Sequence, residues 1–566
     1  MLTNKEVARL LKDTAALIEL TGGNEFRARA FSAAARTLER ADESLQVLIE
    51  DNRLHELRGI GSRIAEQIKE IYEHGTFDLY EDLLSAIPPG LGELLRVKGL
   101  GAKKVRRLWQ TLGITTLEDL EAAAQIGRLA ELPGFGEKSQ ENILKSIALL
   151  KRYGTRRRFD QAVTQAQPLL LKIRELGHVD RAEYAGEIRR KLETVEKVEI
   201  VASADDLNAA CEALHSMWET NAESSEGCRT LRGQLTDGMP LEIHVVLPDR
   251  YGLELWQRTG SEDHLRAFRE QLGVPGAVHD EEDIFAAAGL PYIEPELREN
   301  MGEIEAAREG LLPDLITLDD LKGILHNHST YSDGAHSLEQ MTNAARGLGY
   351  AYYGACDHSR SLTVANGLSI ERVRQQQEEI RRLNEMNPPG FHIFSGIESD
   401  ILPDGSLDYP EEVLAGFDLV VASIHSRFNM TRDEATERLI RAIENPYTTM
   451  LGHPTGRLLL RREGYPIDHE KVIDACADHG VAIEINANPR RLDLDWRWVR
   501  RATERGVLIS INPDAHSIDE LYYMQWGVAV ARKGWLTAEQ CLNAKSLDDF
   551  RVWLDEMRTR QGLTHV

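Results

Sequence analysis

Between residues 326 and 516 the sequence carries nine imidazole and carboxylate side chains, each set in a short local motif: His326-Asn327-His328, Asp333, Asp357-His358, Glu398, His425, His453 and Asp514-Ala515-His516. Most of them close a short apolar run and stand beside Gly, Pro or Ser, as in Ile324-Leu325-His326, Val420-Val421-Ala422-Ser423-Ile424-His425 and Met450-Leu451-Gly452-His453-Pro454. A strand ending at the mouth of a barrel presents functional side chains in that context. From residue 322 onward such runs alternate with helix-length segments at 339–348, 369–386, 432–444 and 468–479. That is βα repetition, and it predicts a parallel sheet or barrel with helices outside. A single His beside an apolar run is ordinarily a satisfied core residue. Nine ligand-type side chains repeating one context read as a multinuclear metal site.

At 566 residues the chain exceeds one hydrophobic core, so several domains are expected. Its 42% apolar and 28% charged residues are an ordinary globular balance. No apolar run approaches the roughly 18 residues that cross a bilayer, and Met1-Leu2-Thr3-Asn4-Lys5-Glu6 lacks a signal-peptide pattern. Five scattered cysteines, none in Cys-x-x-Cys spacing, predict reduced thiols and a cytoplasmic protein. The net charge of −25 argues against coating nucleic acid by bulk attraction. Local loops can still carry the opposite field, and bound divalent cations would offset part of the carboxylate excess.

The first 150 residues read as nearly all helix, and one pattern occurs there three times: Leu57-Arg58-Gly59-Ile60-Gly61, Val97-Lys98-Gly99-Leu100-Gly101 and Leu132-Pro133-Gly134-Phe135-Gly136. Each precedes a polar or basic helix start bearing Arg63, Lys103-Lys104 or Lys138. Two glycines permit a tight turn, after which the free N–H groups of the second helix can hold a phosphate without reading a base. Three copies predict helix-hairpin-helix DNA binding rather than ordinary Gly-capped hairpins. A basic stretch, Lys151-Arg152 and Arg156-Arg157-Arg158, closes this half. Residues 160–250 turn mixed α/β, with Val198–Val201 and Leu241–Val246 alternating like strands with one buried face. Residues 251–315 return to helix and loop, and 314–320 reads as a linker.

On these motifs the sequence resembles the bacterial family X DNA polymerases of the PolX type, with their C-terminal PHP (polymerase and histidinol phosphatase) domain. Asn24-Glu25-Phe26-Arg27-Ala28-Arg29-Ala30-Phe31, Tyr292-Ile293-Glu294-Pro295-Glu296-Leu297-Arg298, His326–Gly334, Gly452–Arg457 and Glu484-Ile485-Asn486 carry the resemblance beside the three hairpins. It implies a multidomain fold: a helical helix-hairpin-helix N-terminal half, an α+β nucleotidyltransferase-like palm and a C-terminal α/β (PHP) barrel. The expected boundaries are 1–82 for a helical domain with the first hairpin, 83–152 for a fingers-like domain with the other two, 153–248 for the palm, 249–318 for a thumb-like region and 319–566 for the PHP domain.

The polymerase centre departs from the family pattern. A Gly-Ser-x-Arg-Arg segment that holds triphosphate is here Gly186-Glu187-Ile188-Arg189-Arg190, and the positions of the metal-binding Asp-x-Asp pair and third Asp fall on Lys197-Val198-Glu199 and Glu242. A carboxylate repels triphosphate, and an ammonium cannot ligate a metal, so a magnesium pair in the palm and nucleotidyl transfer are not expected. The lysine of the family's 5′-deoxyribose-phosphate lyase is matched by Gln67, with Lys69 nearby.

The PHP ligand positions are all filled. The resemblance implies three divalent metal ions, Mn²⁺ or Zn²⁺ from the imidazole–carboxylate mixture: one held by His326, His328, Glu398 and Asp514, one by Glu398, His425 and His453, one by Asp333, His358 and His516. Such cations can clamp a phosphodiester and activate water for in-line attack. Arg457 and Arg427 are candidates to hold phosphate charge, and Asp357 to orient His358. Asn366 matches a family segment without an assigned role. The resulting expectation is a metal-dependent DNA phosphoesterase of DNA repair, a 3′→5′ exonuclease or abasic-site endonuclease acting on gapped, nicked or 3′-ended DNA, with no membrane partner. The alternatives are an active PolX-type polymerase with exonuclease, a small-molecule phosphatase of histidinol-phosphatase type, and a non-enzymatic DNA-binding scaffold.

Overall fold

The computed structural model describes residues 4–563 apart from 40, 42, 44, 89, 96, 155, 218–220, 226, 236 and 237. The chain divides into two compact units, Met1–Gly154 and Thr155–Val566.

Every regular element among the described residues of the first unit is a helix. Its three Gly-x-Gly turns share the same backbone features. The first glycine of each lies in the left-handed region, with φ of 90° at Gly59, 89° at Gly99 and 87° at Gly134, where a side chain would be strained. The intervening Ile60, Leu100 and Phe135 are buried, and their N–H groups donate back to Leu57, Val97 and Leu132 at 3.1, 3.0 and 3.0 Å. The second glycine then caps Ser62–His74, Ala102–Leu112 or Glu137–Tyr153 without any side-chain acceptor. An apolar residue thus pins each turn to the core while the helix N–H groups stay uncapped by side chains.

In the second unit, β1 (Arg157–Arg158), β2 (Arg181–Ala185), β3 (Thr194–Val195), β4 (Val198–Ser203), β5 (Asn221–Ser225), β6 (Cys228–Gln234) and β7 (Pro240–Val246) build a ribbon, β1–β3, and a sheet of order β2-β4-β7-β6-β5. β4 and β7 pair in parallel, so Glu199 lies opposite Glu242. The alternation in β4 does not leave one face wet, as the sequence suggested. All six of its residues are buried, because helix Phe159–Arg174 covers Ile200 and Ala202 while helix Tyr251–Thr259 covers Val201. The expected linker at 314–320 is also corrected. Leu315 and Ile316 are buried, and Ile316 donates to Leu536 O at 3.0 Å, so the segment is packed into the barrel.

The barrel follows: β8 (Gly323–Asn327), β9 (Tyr352–Ala355), β10 (His392–Asp400), β11 (Leu419–Ser423), β12 (Met450–Leu451), β13 (Ala482–Asn486) and β14 (Ile509–Asn512), all parallel and each beside its sequence neighbours. The two edges meet where Asn327 bridges Ala515 and His328 N donates to Ala515 O at 2.8 Å. Helices Leu338–Gly347, Ile370–Met386, Arg432–Ile443 and His469–His479 lie within a residue of the segments read from sequence. Among the described residues no helix is long and apolar enough to cross a membrane.

Candidate metal centre

All nine ligand-type side chains sit at or just past the C-terminal ends of barrel strands, and they converge. His326, His328, Glu398 and Asp514 offer ligand atoms within 4.8 Å of one another, as do His328, Asp333, His358 and His516, and also His358, Glu398 and His425. Glu398 is central: its Oε1 lies 2.9 Å from His453 Nε2 and 3.1 Å from His425 Nε2, and its Oε2 lies 2.7 Å from His358 Nδ1 and 3.4 Å from His326 Nε2. His358 turns its other nitrogen to Asp333 at 3.5 Å. Beyond the Glu398 bridge already expected, the ligand sets implied by the resemblance overlap further, with His328 and His358 each facing two of them.

Two of these buried nitrogens, His326 Nε2 and His358 Nδ1, face the buried Glu398 Oε2 at 3.4 and 2.7 Å in a geometry that makes no regular hydrogen bond. Buried polar atoms left unpaired are costly and uncommon. Imidazole nitrogens converging with a carboxylate oxygen are the donor set of a divalent transition-metal ion, so the residues fit the cations that the sequence implies. The electrostatics agree. Burial would lower His326, but Glu484, Glu398 and Asp514 outweigh it and hold it well above its usual value. The same contest leaves His425 at about 10 and His516 at about 9. Burial would raise Glu398 and Asp514, yet the facing imidazoles hold both well below the carboxylate range. Without a cation, protons neutralise the cluster; a bound cation must displace them. Two of the nine sit on strained backbone, His453 at φ 23° and Asp514 at φ 53°, as residues of functional sites often do.

Two supporting carboxylates escaped the sequence reading. Asp400 Oδ1 accepts from His425 Nδ1 at 2.5 Å, and Glu484 Oε1 accepts from His326 Nδ1 at 2.7 Å while its Oε2 takes His453 N at 2.7 Å. A signal existed for both: Asp400 shares the strand face of Glu398 two residues on, and Glu484 belongs to a motif already singled out. Asp357 is a correction. It accepts from the N–H and hydroxyl of Ser329 and of Ser332 and from Gln376, so it folds the loop that carries Asp333 and does not orient His358. Arg457 is a second correction. Its guanidinium is spent on Arg491 O, Leu492 O and Asp495, and cannot hold phosphate. Arg491 faces the cluster instead, 3.6 Å from Asp514 Oδ2. Arg427 is exposed at the rim. Asn366 donates to Ser332 O at 3.0 Å and so ties two rim loops together.

The palm carries a different arrangement. Glu199, Glu242 and His244 have metal-like spacing, but Lys197 Nζ stands 2.9 Å from Glu199 and 2.7 Å from Glu242, and Arg232 takes the other oxygen of Glu242 at 2.9 Å. Burial would lower Lys197, but both glutamates outweigh it and keep it charged. Glu187 is held by Arg156 at 2.8 Å and Glu196 N at 2.6 Å. Arg189 makes a bidentate pair with Glu281 at 2.8 Å, and Arg190 binds Glu299 at 2.9 Å and Thr259 O at 2.7 Å. This donor set does not fit a pair of metal ions. In the hairpins Arg63 and Lys138 are exposed, Lys103 pairs with Glu25 at 2.7 Å and Lys104 reaches Gly99 O at 3.1 Å. Of the basic stretch, Lys151 pairs with Glu121, and Arg158 with Asp160 at 3.0 Å.

Hairpin turns followed by a parallel barrel with a histidine–carboxylate mouth define a helix-hairpin-helix protein with a PHP domain. Family models agree: residues 2–77 match a helix-hairpin-helix domain, 91–148 a SAM-like helix-hairpin-helix tandem and 325–488 the PHP domain. The DNA polymerase/3'-5' exonuclease PolX of Bacillus subtilis (strain 168) is 36% identical over 569 aligned positions, which cover 97% of this chain and 99% of that protein. A probable phosphatase of Thermoanaerobacter sp. (strain X514) is 31% identical over 256 positions, 43% of this chain and 98% of its own. The chain belongs to the PolX family.

Proposed function

We propose that this chain is a metal-dependent DNA phosphoesterase that degrades strands 3′→5′ in DNA repair, and that its palm no longer transfers nucleotides. The observation that carries the reading is the contrast between buried imidazole and carboxylate atoms that face one another in the barrel without a regular hydrogen bond and an ammonium wedged between the palm carboxylates. The nine barrel side chains would hold Mn²⁺ or Zn²⁺, and those ions would supply phosphate charge neutralisation and water activation. The chain's own contribution is orientation. Asp400 and Glu484 fix the rings of His425 and His326, and Asp357 holds the Asp333 loop in place. The hairpins supply phosphate-backbone contacts through Arg63, Lys103, Lys104 and Lys138, and gapped, nicked or 3′-ended DNA is the expected partner. Gln67 stands where the lyase nucleophile would be, and Lys69 is bonded to Asn52 at 2.9 Å, so lyase chemistry is not proposed.

The test gives the purified chain 3′-recessed, gapped and abasic DNA with Mn²⁺, beside His326→Ala/His328→Ala. Wild type should shorten strands from 3′ ends, and the variant should be slower by about a hundredfold or more. Equal degradation by both, or by neither, sinks the assignment. The second reading, an active polymerase with exonuclease, is favoured by the name of the Bacillus subtilis relative; robust template-directed extension on gapped DNA would establish it. The small-molecule phosphatase reading is favoured by relatives that match 43% of this chain, and three DNA-type hairpins weigh against it.

A further inference from the structure

The loops that follow β11, β12 and β13 form one wall of the barrel mouth. Leu459 N donates to Arg490 O at 2.7 Å, Thr455 Oγ1 donates to Asp493 Oδ2 at 2.9 Å, and the Phe428 and Tyr465 rings stack with centroids 6.1 Å apart. Arg427, Arg461 and Arg490 project from this wall. All three are exposed, and among the described residues none has a carboxylate partner. Two acids of the same loops are turned inward, Asp493 to Thr455 and Asp495 to Arg457; Glu463 is the exposed exception. Arg491 sits deeper than the other arginines, with Nε 3.6 Å from the Asp514 carboxylate. The loops after β8, β9, β10 and β14 have the opposite character. They carry Asp333, Asp404, Asp519 and Glu520, and their one arginine, Arg360, is bonded to Asp408 O at 2.8 Å. The mouth is therefore polarised, cationic on one side and anionic on the other.

We propose that this arginine wall is a track for the sugar–phosphate backbone of the substrate strand, with Arg491 touching the phosphodiester that is cut. The inference rests on the phosphoesterase reading. On a chain of net charge −25 a polyanion is repelled from most of the surface, and a local cationic wall decides where it lies. Guanidinium groups are suited to phosphate because their planar donors pair with two oxygens at once. A small phosphomonoester would need Arg491 alone, whereas three further unpaired arginines leading away from the cluster match a ligand with phosphates in series.

The test uses the full chain with Mn²⁺ and two substrates, a dinucleoside monophosphate and a long labelled single strand. Arg491→Ala should lower kcat/KM about tenfold or more on both substrates, with part restored in Arg491→Lys and with the wild-type metal content. Arg427→Glu/Arg461→Glu/Arg490→Glu should raise KM for the long strand about tenfold more than for the dinucleotide. It should also lessen the slope of log KM against log salt by about 2, three single-strand phosphate contacts at roughly 0.7 each. Equal losses of the triple variant on both substrates overturn the track. An unchanged Arg491→Ala, or one that loses metal, overturns the contact to the scissile phosphate. A wild type inactive on both substrates overturns the phosphoesterase reading itself.

Discussion

In the palm, Glu199 and Glu242 share an ammonium from Lys197, and Arg232 takes the oxygen that remains. In the barrel, Glu398 and Asp514 face imidazole nitrogens, two of which, His326 Nε2 and His358 Nδ1, make no regular hydrogen bond. Both regions bring carboxylates together at the ends of strands. They differ in how the negative charge is met: by fixed side-chain cations in one, and in the other by imidazoles whose protons a metal ion can displace into water. A cluster neutralised internally is complete without a ligand. A cluster of buried, unpaired donors is complete only with one.

The largest effect expected of a single substitution is at Glu398, the carboxylate that five imidazoles approach. Glu398→Gln should lower hydrolysis by about a thousandfold and lose bound metal by elemental analysis; retained metal and activity would remove Glu398 from the centre. Next comes the clamp that Glu281 makes on Arg189 and Arg298. Burial alone would raise Glu281, but Arg298 and Arg189 outweigh it and hold it at about 2. Its folded value lies below the ordinary 4.5, so its stabilisation is fully present above pH 4.5 and is lost as the pH falls toward 2. The shift corresponds to about 3 kcal/mol at 1.36 kcal/mol per unit. Denaturation of Glu281→Gln should show a deficit of that order at neutral pH, shrinking below pH 4.5; a deficit that does not shrink would remove the ionic account. Asp400→Asn should weaken metal binding about ten- to a hundredfold with the fold intact, which metal titration reads. The smallest effect belongs to Lys197→Ala. This half-exposed ammonium should cost about 1 kcal/mol of stability in chelator, and added Mn²⁺ should restore it by occupying the vacated carboxylates. No effect of Mn²⁺ there would mean that the palm glutamates cannot be turned back into a metal site.

Much of the centre was legible because each ligand sits in its own strand-end motif, and strand ends of a parallel barrel point to one place. The Gly-x-Gly turns were legible for a similar reason: a positive φ, a buried middle residue and an open helix start are all local. What could not be read depends on loop conformation. Arg457 and Arg491 look alike in sequence, yet one is bound to the carbonyls of residues 491 and 492 and the other faces the cluster. Asp357 stands beside a ligand but serves the serines of another loop, while Asp400, two residues from Glu398, is the one that orients an imidazole. The full burial of β4 reflects helices that close over both of its faces, which a six-residue pattern cannot reveal.

The central claim, that chemistry resides in the barrel and not in the palm, is tested most directly by one reaction. Gapped DNA labelled at the 5′ end of the primer is incubated with the full chain, Mn²⁺ and all four deoxynucleoside triphosphates, and primer length is followed in time. The primer should shorten and never be extended along the template. Template-directed extension, by the full chain or by its Glu398→Gln variant, would contradict this.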